Sequence, residues 1–207
     1  MLAPLGLGRM PLPEPAPRQP IHTRRVECRG FRRDDGLWDI EGRLVDTKSY
    51  PFRNAHRGEI APGAPLHDMW LRLTVDDELV VRDVAAVTDA APYAVCPAVT
   101  PSFASLKGLR IGPGWRRQVL ERVGGVRGCT HLVELLWPLA TAAYQTVYPI
   151  LARERPRSDD DRPPGHLDSC HALARDGEIV REHHPRWYTG PPRDPGAHGD
   201  GEGGSTA

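Results

Sequence analysis

The chain has 207 residues, with 27 Lys and Arg against 27 Asp and Glu, so its formal net charge is zero. That balance argues against a nucleic-acid footprint and against an electrostatic membrane anchor. The length leaves room for one compact domain with a real core once two polar ends are set aside.

Residues 1–20 hold six prolines and little to bury, and are expected to form a flexible arm. They lack the charged start and unbroken apolar run of a signal peptide, so a cytoplasmic location is expected. The longest apolar region, residues 132–150, contains Glu134, Pro138, Gln145 and Pro149, which disfavours a membrane span. In a reducing compartment the four widely spaced cysteines, Cys28, Cys96, Cys129 and Cys170, should be free thiols or metal ligands.

Order is expected from Ile21. "IHTRRVECRGFRRDDGLWDIEGRLVDTK" alternates polar and apolar residues about Asp34-Asp35-Gly36, the pattern of a hairpin, with Val26 and Cys28 on one face and Trp38, Ile40 and Leu44 on another. After a Pro/Gly-rich loop, Met69, Leu71, Leu73 and Val75 fall at period two, turn at Asp76-Asp77-Glu78 and return through Leu79 and Val81. Three helices follow. "TPSFASLKG" offers Thr100 as N-cap with Pro101 at the first position, and "GPGWRRQVLERVGG" spaces Trp115, Val119 and Val123 helically before two glycines. The third has Leu132, Leu135, Leu136, Leu139, Ala140, Ala143, Tyr144 and Val147 on one stripe, with Pro138 inside it as an expected kink. A charged, proline-rich stretch then reads as a linker. "SCHALARDGEIVREHHPRWY" reads as a last hairpin turning at Asp176-Gly177, and residues 190–207 as a disordered Gly-rich tail. The whole predicts a single α+β domain over 21–189, an antiparallel sheet of hairpins with three helices at one face.

Cys129 falls at the start of the third helix, where unpaired N–H groups and the helix dipole favour its thiolate. Cys96 lies in a loop leaving the second hairpin, and His67 and Asp68 lie where the chain begins that hairpin. An antiparallel hairpin would bring Asp68 and Cys96 to one end of the sheet, and the third helix would add Cys129 and His131. Thiolate, imidazole and carboxylate together suit zinc or iron. The other reading makes Cys129 a nucleophile, with His131 beside it holding its charge. Cys28, facing with Val26, reads as packing. Trp38, Trp70 and Trp115 read as core or rim, and paired arginines as solvated faces. "GLRIGPG" lacks the context of a phosphate loop.

Two resemblances follow. The succession "GAPLHDMWLRLTVDDELVVRDV", a loop with Cys96, "LKGLRI" and "GCTHLVELLWPLATAAY" resembles the NifU/IscU–SufE iron–sulfur scaffold superfamily. That resemblance implies a NifU/SufE-like fold, with Cys96 and Cys129 as the second and third cluster cysteines and Asp68 as the aspartate of the first motif. No cysteine stands at Leu66, where the first would fall, and His67 is the nearest ligand type. It also implies an accessory carrier or scaffold role toward a metalloenzyme or iron–sulfur client, or a sulfur acceptor at Cys129. A plain protein-interaction module without a site is the remaining reading. Over residues 21–188, "HTRRVECRGFRRDDGLWDIEGRLVDTK", "PLHDMWLRLTVDD", "GLRIGPGW", "RGCTHLVELL" and "DSCHAL" resemble a bacterial family defined as a domain of unknown function, DUF2889.

Overall fold

The computed structural model describes residues 12–154 and 163–192. Its centre is a four-stranded antiparallel sheet made of the two expected hairpins. Strand β1 (His22–Arg32) turns through Asp34-Asp35-Gly36 into β2 (Trp38–Lys48), with Gly36 at φ 82°. Only a residue at ease in the left-handed region fits there. The Pro/Gly-rich loop contains a further small hairpin, β3 (Phe52–Asn54) and β4 (Gly58–Ile60), whose three-residue strands are too short to carry a readable alternation. Strands β5 (Pro65–Val75) and β6 (Val81–Ala90) complete the large sheet in the order β1-β2-β5-β6.

The register corrects one expectation about faces. Val26 pairs with Leu44, Cys28 with Gly42 and Gly30 with Ile40, so Val26 and Cys28 share the face of Ile40 and Leu44 and do not oppose it. Directly paired residues project to the same side of a pleated sheet. On this inner face Ile40, Leu44, Met69, Leu71, Leu73 and Val75 are all but fully buried.

An eleven-residue 3-10 helix, Cys96–Leu106, packs on β6. It starts four residues before the expected cap at Thr100, with Pro97 supplying the fixed φ near its start. Helix α1 (Trp115–Val123) follows and ends at Gly124 as expected. Helix α2 (Thr130–Glu154) runs through Pro138 and packs on β1, β2 and β5. Its buried stripe is Leu132, Leu135, Leu136, Leu139, Ala143 and Val147, each large side chain contributing about 1.5–3 kcal/mol of burial. Glycines set how closely it lies: a methyl group on Gly30 would collide with Thr146, and one on Gly42 would press on Leu135 and Leu139 at 3.0–3.1 Å.

The chain divides into two compact units, Met1–Pro156 and Arg157–Ala207. The division falls inside the 21–189 span expected as one domain, within the charged stretch expected as a linker. In the second unit the expected last hairpin is replaced by helical turns, His171–Leu173, α3 (Glu178–His183) and Pro185–Trp187. Gly177 caps α3, and Glu178 sits in its first turn, where a negative charge favours helix over strand. Residues 12–20 are exposed and without regular structure, while the remainder of the expected arm, 1–11, and of the expected tail, 193–207, lie outside the described residues. Among the described residues no helix is long and apolar enough to cross a membrane.

Candidate functional site

At one end of the inner face, strand pairing puts three polar residues in a row. Arg24 on β1 pairs with Asp46 on β2, and Asp46 pairs with His67 on β5. The pairing then slips, because Thr47 pairs with Pro65 and Leu66 is left as an extra residue. Such a bulge sits at strand ends and re-aims neighbouring side chains. The start of α2 closes the row from above. Cys129 precedes the helix, its backbone carbonyl accepting the Val133 N–H at 2.9 Å, and His131 lies in the first turn.

Asp46 is 1 % exposed and organises the cluster. Arg24 donates to it through Nε to Oδ1 and Nη2 to Oδ2, both at 2.8 Å, and is tied on its other side to Glu134. His67 Nδ1 lies 3.0 Å from Asp46 Oδ2, and His22 Nε2 lies 3.2 Å from Oδ1. The His67 and His131 rings face one another with centroids 3.8 Å apart at 32°. His131 Nε2 is 3.9 Å from Asp46 Oδ2, while its Nδ1 is 3.9 Å from Cys129 Sγ. The same sulfur lies 3.9 Å from Met69 Sδ.

The charges follow from this geometry. Burial pushes the Asp46 carboxyl up, but the Arg24 guanidinium and His67 outweigh it and hold it below its ordinary value. Burial, with His131 next, pushes His67 below its ordinary value against the pull of Asp46, which favours a neutral imidazole able to bind a cation. Burial pushes the Cys129 thiol up, yet His131 and the backbone N–H groups of Leu132 and His131 bring it below its ordinary value. Cys28, on the same face of β1, is raised by burial, with Glu27 adding to it.

Of the residues singled out from sequence, His67, Cys129 and His131 come together here. Asp68 does not. It projects to the opposite face of β5, where Arg43 donates to both of its oxygens at 2.9 and 2.7 Å. Neighbouring residues of a strand face opposite ways, so His67 and Asp68 could not serve one site from a regular strand. Cys96 is half-buried at the start of its 3-10 helix. Among the described residues the group of three potential ligands with atoms within 4.8 Å of one another is Asp46, His67 and His131; Asp68, Cys96 and Cys129 do not belong to such a group, and Cys129 touches it only through His131. Cys170 is exposed ahead of a helical turn, so it occupies no strand face. Cys28 packs against the core, Trp38 and Trp115 are buried, and Trp70 lies exposed on the outer face under Arg43.

Asp46 is the residue that sequence reasoning missed, together with its partner Arg24. A signal was present: Trp38, Ile40, Gly42 and Leu44 fix the inner parity of β2, and Asp46 continues it. A carboxylate on the core parity of a strand needs a partner. What hid it was the ordinary look of a charged residue near a strand end.

Chemically the cluster offers two imidazoles, a thiol and a buried carboxylate, the donor types of a zinc, iron or copper site. It also aligns a thiol, an imidazole and a carboxylate in sequence, the arrangement of an activated sulfur nucleophile.

No curated protein and no solved structure matches the chain. The family model described as "Protein of unknown function (DUF2889)" matches residues 22–145, more than half of the chain. The match runs from the first residue of β1 into α2 and includes Arg24, Asp46, His67, Cys129 and His131. This chain therefore belongs to the DUF2889 family of proteins of unknown function.

Proposed function

We propose that the protein binds a metal ion at the cluster of Asp46, His67, His131 and Cys129, and acts as an accessory carrier or scaffold rather than a turnover enzyme. The observation that carries this reading is the convergence of Asp46, His67 and His131 with ligand atoms within 4.8 Å of one another, beside a thiol 3.9 Å from His131. Ligands from three separate elements meet at a partly open end of the sheet, where an ion could enter and leave. Zinc or iron suits the donor set. A NifU/SufE-like relation draws support from the order of elements, an antiparallel sheet followed by helices with Cys129 ahead of the long one. With Cys96 and Asp68 outside the cluster, a single ion fits the donors better than a multi-thiolate iron–sulfur unit. A metalloenzyme or iron–sulfur protein is the corresponding client.

The test is anaerobic purification of the full chain from iron- and zinc-replete cells, followed by metal and acid-labile sulfide analysis. Stoichiometric metal is expected, lost in Cys129→Ser and His131→Ala and retained in Cys28→Ser. Protein that contains no metal and cannot be loaded with zinc overturns the reading.

A second reading has its own observation. Cys129 Sγ lies 3.9 Å from His131 Nδ1, and the other nitrogen of that ring lies 3.9 Å from Asp46 Oδ2, so thiol, imidazole and carboxylate stand in a row. This supports Cys129 as a sulfur acceptor or nucleophile. In that case metal-free protein should keep a fast-labelling thiol that His131→Ala slows.

A further inference from the structure

We propose that the outer surface of α1 and the glycine-bounded turn after it form a docking surface for an acidic protein segment with an apolar centre. This deepens the accessory role above by giving the chemistry that recognises a client, and it rests on that reading for the client's role, not for the contact itself. Charge sets the region apart. Between Asp89 and Glu134 the sequence holds Lys107, Arg110, Arg116, Arg117, Arg122 and Arg127 against Glu121, in a chain whose net charge is zero. All of these cations are exposed. A local excess of one sign steers a partner of the opposite sign.

What holds these arginines differs from the sheet. There Arg24, Arg43 and Arg82 each lie against a buried carboxylate, that of Asp46, Asp68 and Asp76. Around α1 the holding groups are neutral. Arg122 donates to the Ser105 carbonyl, Arg127 donates through Nη2 to the Leu120 carbonyl at 3.0 Å, and the Arg116 guanidinium lies 4.8 Å from the centre of the Trp137 ring. Arg117 has Glu121 at 3.8 Å, with both side chains largely in water. A carbonyl or a ring fixes a guanidinium without cancelling its charge, so these cations are positioned in advance and still able to take a partner's carboxylates.

The apolar centre is held outward by the backbone. Val126 is 100 % exposed and Leu120 49 %. Val126 sits in the middle of the turn Gly125–Arg127, where a branched apolar side chain in water adds nothing to stability. The turn is nevertheless tightly specified. Gly125 has φ 59°, a methyl group on Gly124 would fall 2.4 Å from the Leu120 carbonyl oxygen, and one on Gly128 2.0 Å from that of Val123. Because Arg127 reaches back to the Leu120 carbonyl, it and its neighbour Val126 stand at the Leu120 end of α1. The turn runs through Gly128 into Cys129, so the surface adjoins the cluster along the chain. A few apolar side chains ringed by arginine match the centre and rim of a protein contact. A membrane is the poorer match, since α1 turns Trp115, Val119 and Val123 into the core and keeps no apolar face to lay on lipid.

Fluorescence anisotropy with the full, metal-free chain tests this apart from any ion. The probe is a fluorescein-labelled peptide with glutamates on either side of a pair of leucines. Binding is expected, and it should weaken as salt is added. The Arg117 side chain is 79 % exposed and Val126 100 %, so Arg117→Glu and Val126→Asp should both fold. Each should weaken binding by roughly tenfold or more, the scale of setting a like charge against the partner's. Arg29→Glu, on β1, changes the net charge as much as Arg117→Glu and should leave affinity unchanged. Vesicles of equimolar phosphatidylcholine and phosphatidylglycerol, and a single-stranded oligonucleotide, are offered in parallel and should bind more weakly than the peptide. Equal or tighter binding to either, no binding of the peptide, or three variants that behave alike overturns the proposal. Metal uptake should be the same in Arg117→Glu as in wild type, so that failure here leaves the metal-binding reading standing. A chain that binds the peptide and takes up no metal leaves the docking surface standing and overturns the metal site.

Discussion

The two ends of the face beneath α2 are built on opposite principles. Toward one end Ile40, Leu73, Leu135 and Leu139 pack against each other, with Gly42 letting the helix settle. At the other end the same strands and helix gather two imidazoles and a part-buried thiol about the buried Asp46 carboxylate, which Arg24 holds. The apolar end is stabilised by area removed from water and would accept many sequences of similar volume. The polar end depends on every partner being present, because a buried charge that loses its counter-charge costs more than the pair contributes. Local stability is therefore concentrated at one end, and chemical potential for binding at the other.

The largest expected effect breaks the apolar end. Leu135→Ala, at a fully buried position above Gly42, should cost about 2–5 kcal/mol in denaturant unfolding while leaving metal uptake per folded molecule unchanged. Lost metal uptake in protein still folded would show that the two ends are not independent.

Next comes Asp46→Ala. It leaves His67 without its acceptor and Arg24 with only Glu134, and should cost about 3 kcal/mol, the lower end of the range for breaking a buried pair, because Arg24 is partly open to water. The same variant should change the acid limb of stability. Against the upward push of burial, Arg24 and His67 hold the folded-state carboxyl below its ordinary value. Its contribution is thus present above the unfolded-state pKa and disappears as pH falls through the lower, folded-state one. Wild type should lose this increment on acidification and Asp46→Ala should have none to lose. Parallel acid titrations of stability for the two proteins would contradict the pairing.

The smallest effect in energy sharpens the comparison most. Cys28 and Cys129 are both half-buried on this face, yet burial raises the first thiol while His131 and the helix-start N–H groups lower the second. Since the thiolate is the reactive form, alkylation of Cys129 should switch on at a lower pH than that of Cys28. Cys129→Ser should leave unfolding within about 1 kcal/mol of wild type, as a neutral hydrogen bond at a part-exposed site is worth no more. Equal pH profiles for the two thiols would remove the electrostatic distinction between them.

Much of the frame was legible in the residues. Period-two alternation about an acidic-Gly turn marked β1 and β2, and the leucine stripe marked α2, since both depend on neighbours within a few positions. Cys129 and His131 were legible for the same reason, as residues at a helix start. The segment after residue 163 misled, because a six-residue helix and a short hairpin share the same Asp-Gly punctuation.

What sequence by itself determined, then, is which segments are strand or helix, which side chains are apolar enough to be buried, and that a thiol and an imidazole begin α2. Local sterics, hydrogen bonding and periodicity suffice for each. Only the tertiary structure decided the company those two residues keep. Whether Asp46 or Asp68 faces them depends on strand register and on the extra residue at Leu66, and a shift of one residue exchanges the faces. Arg24 and Met69 reach the cluster only because β1, β2 and β5 lie side by side, a matter of long-range pairing that no local pattern encodes.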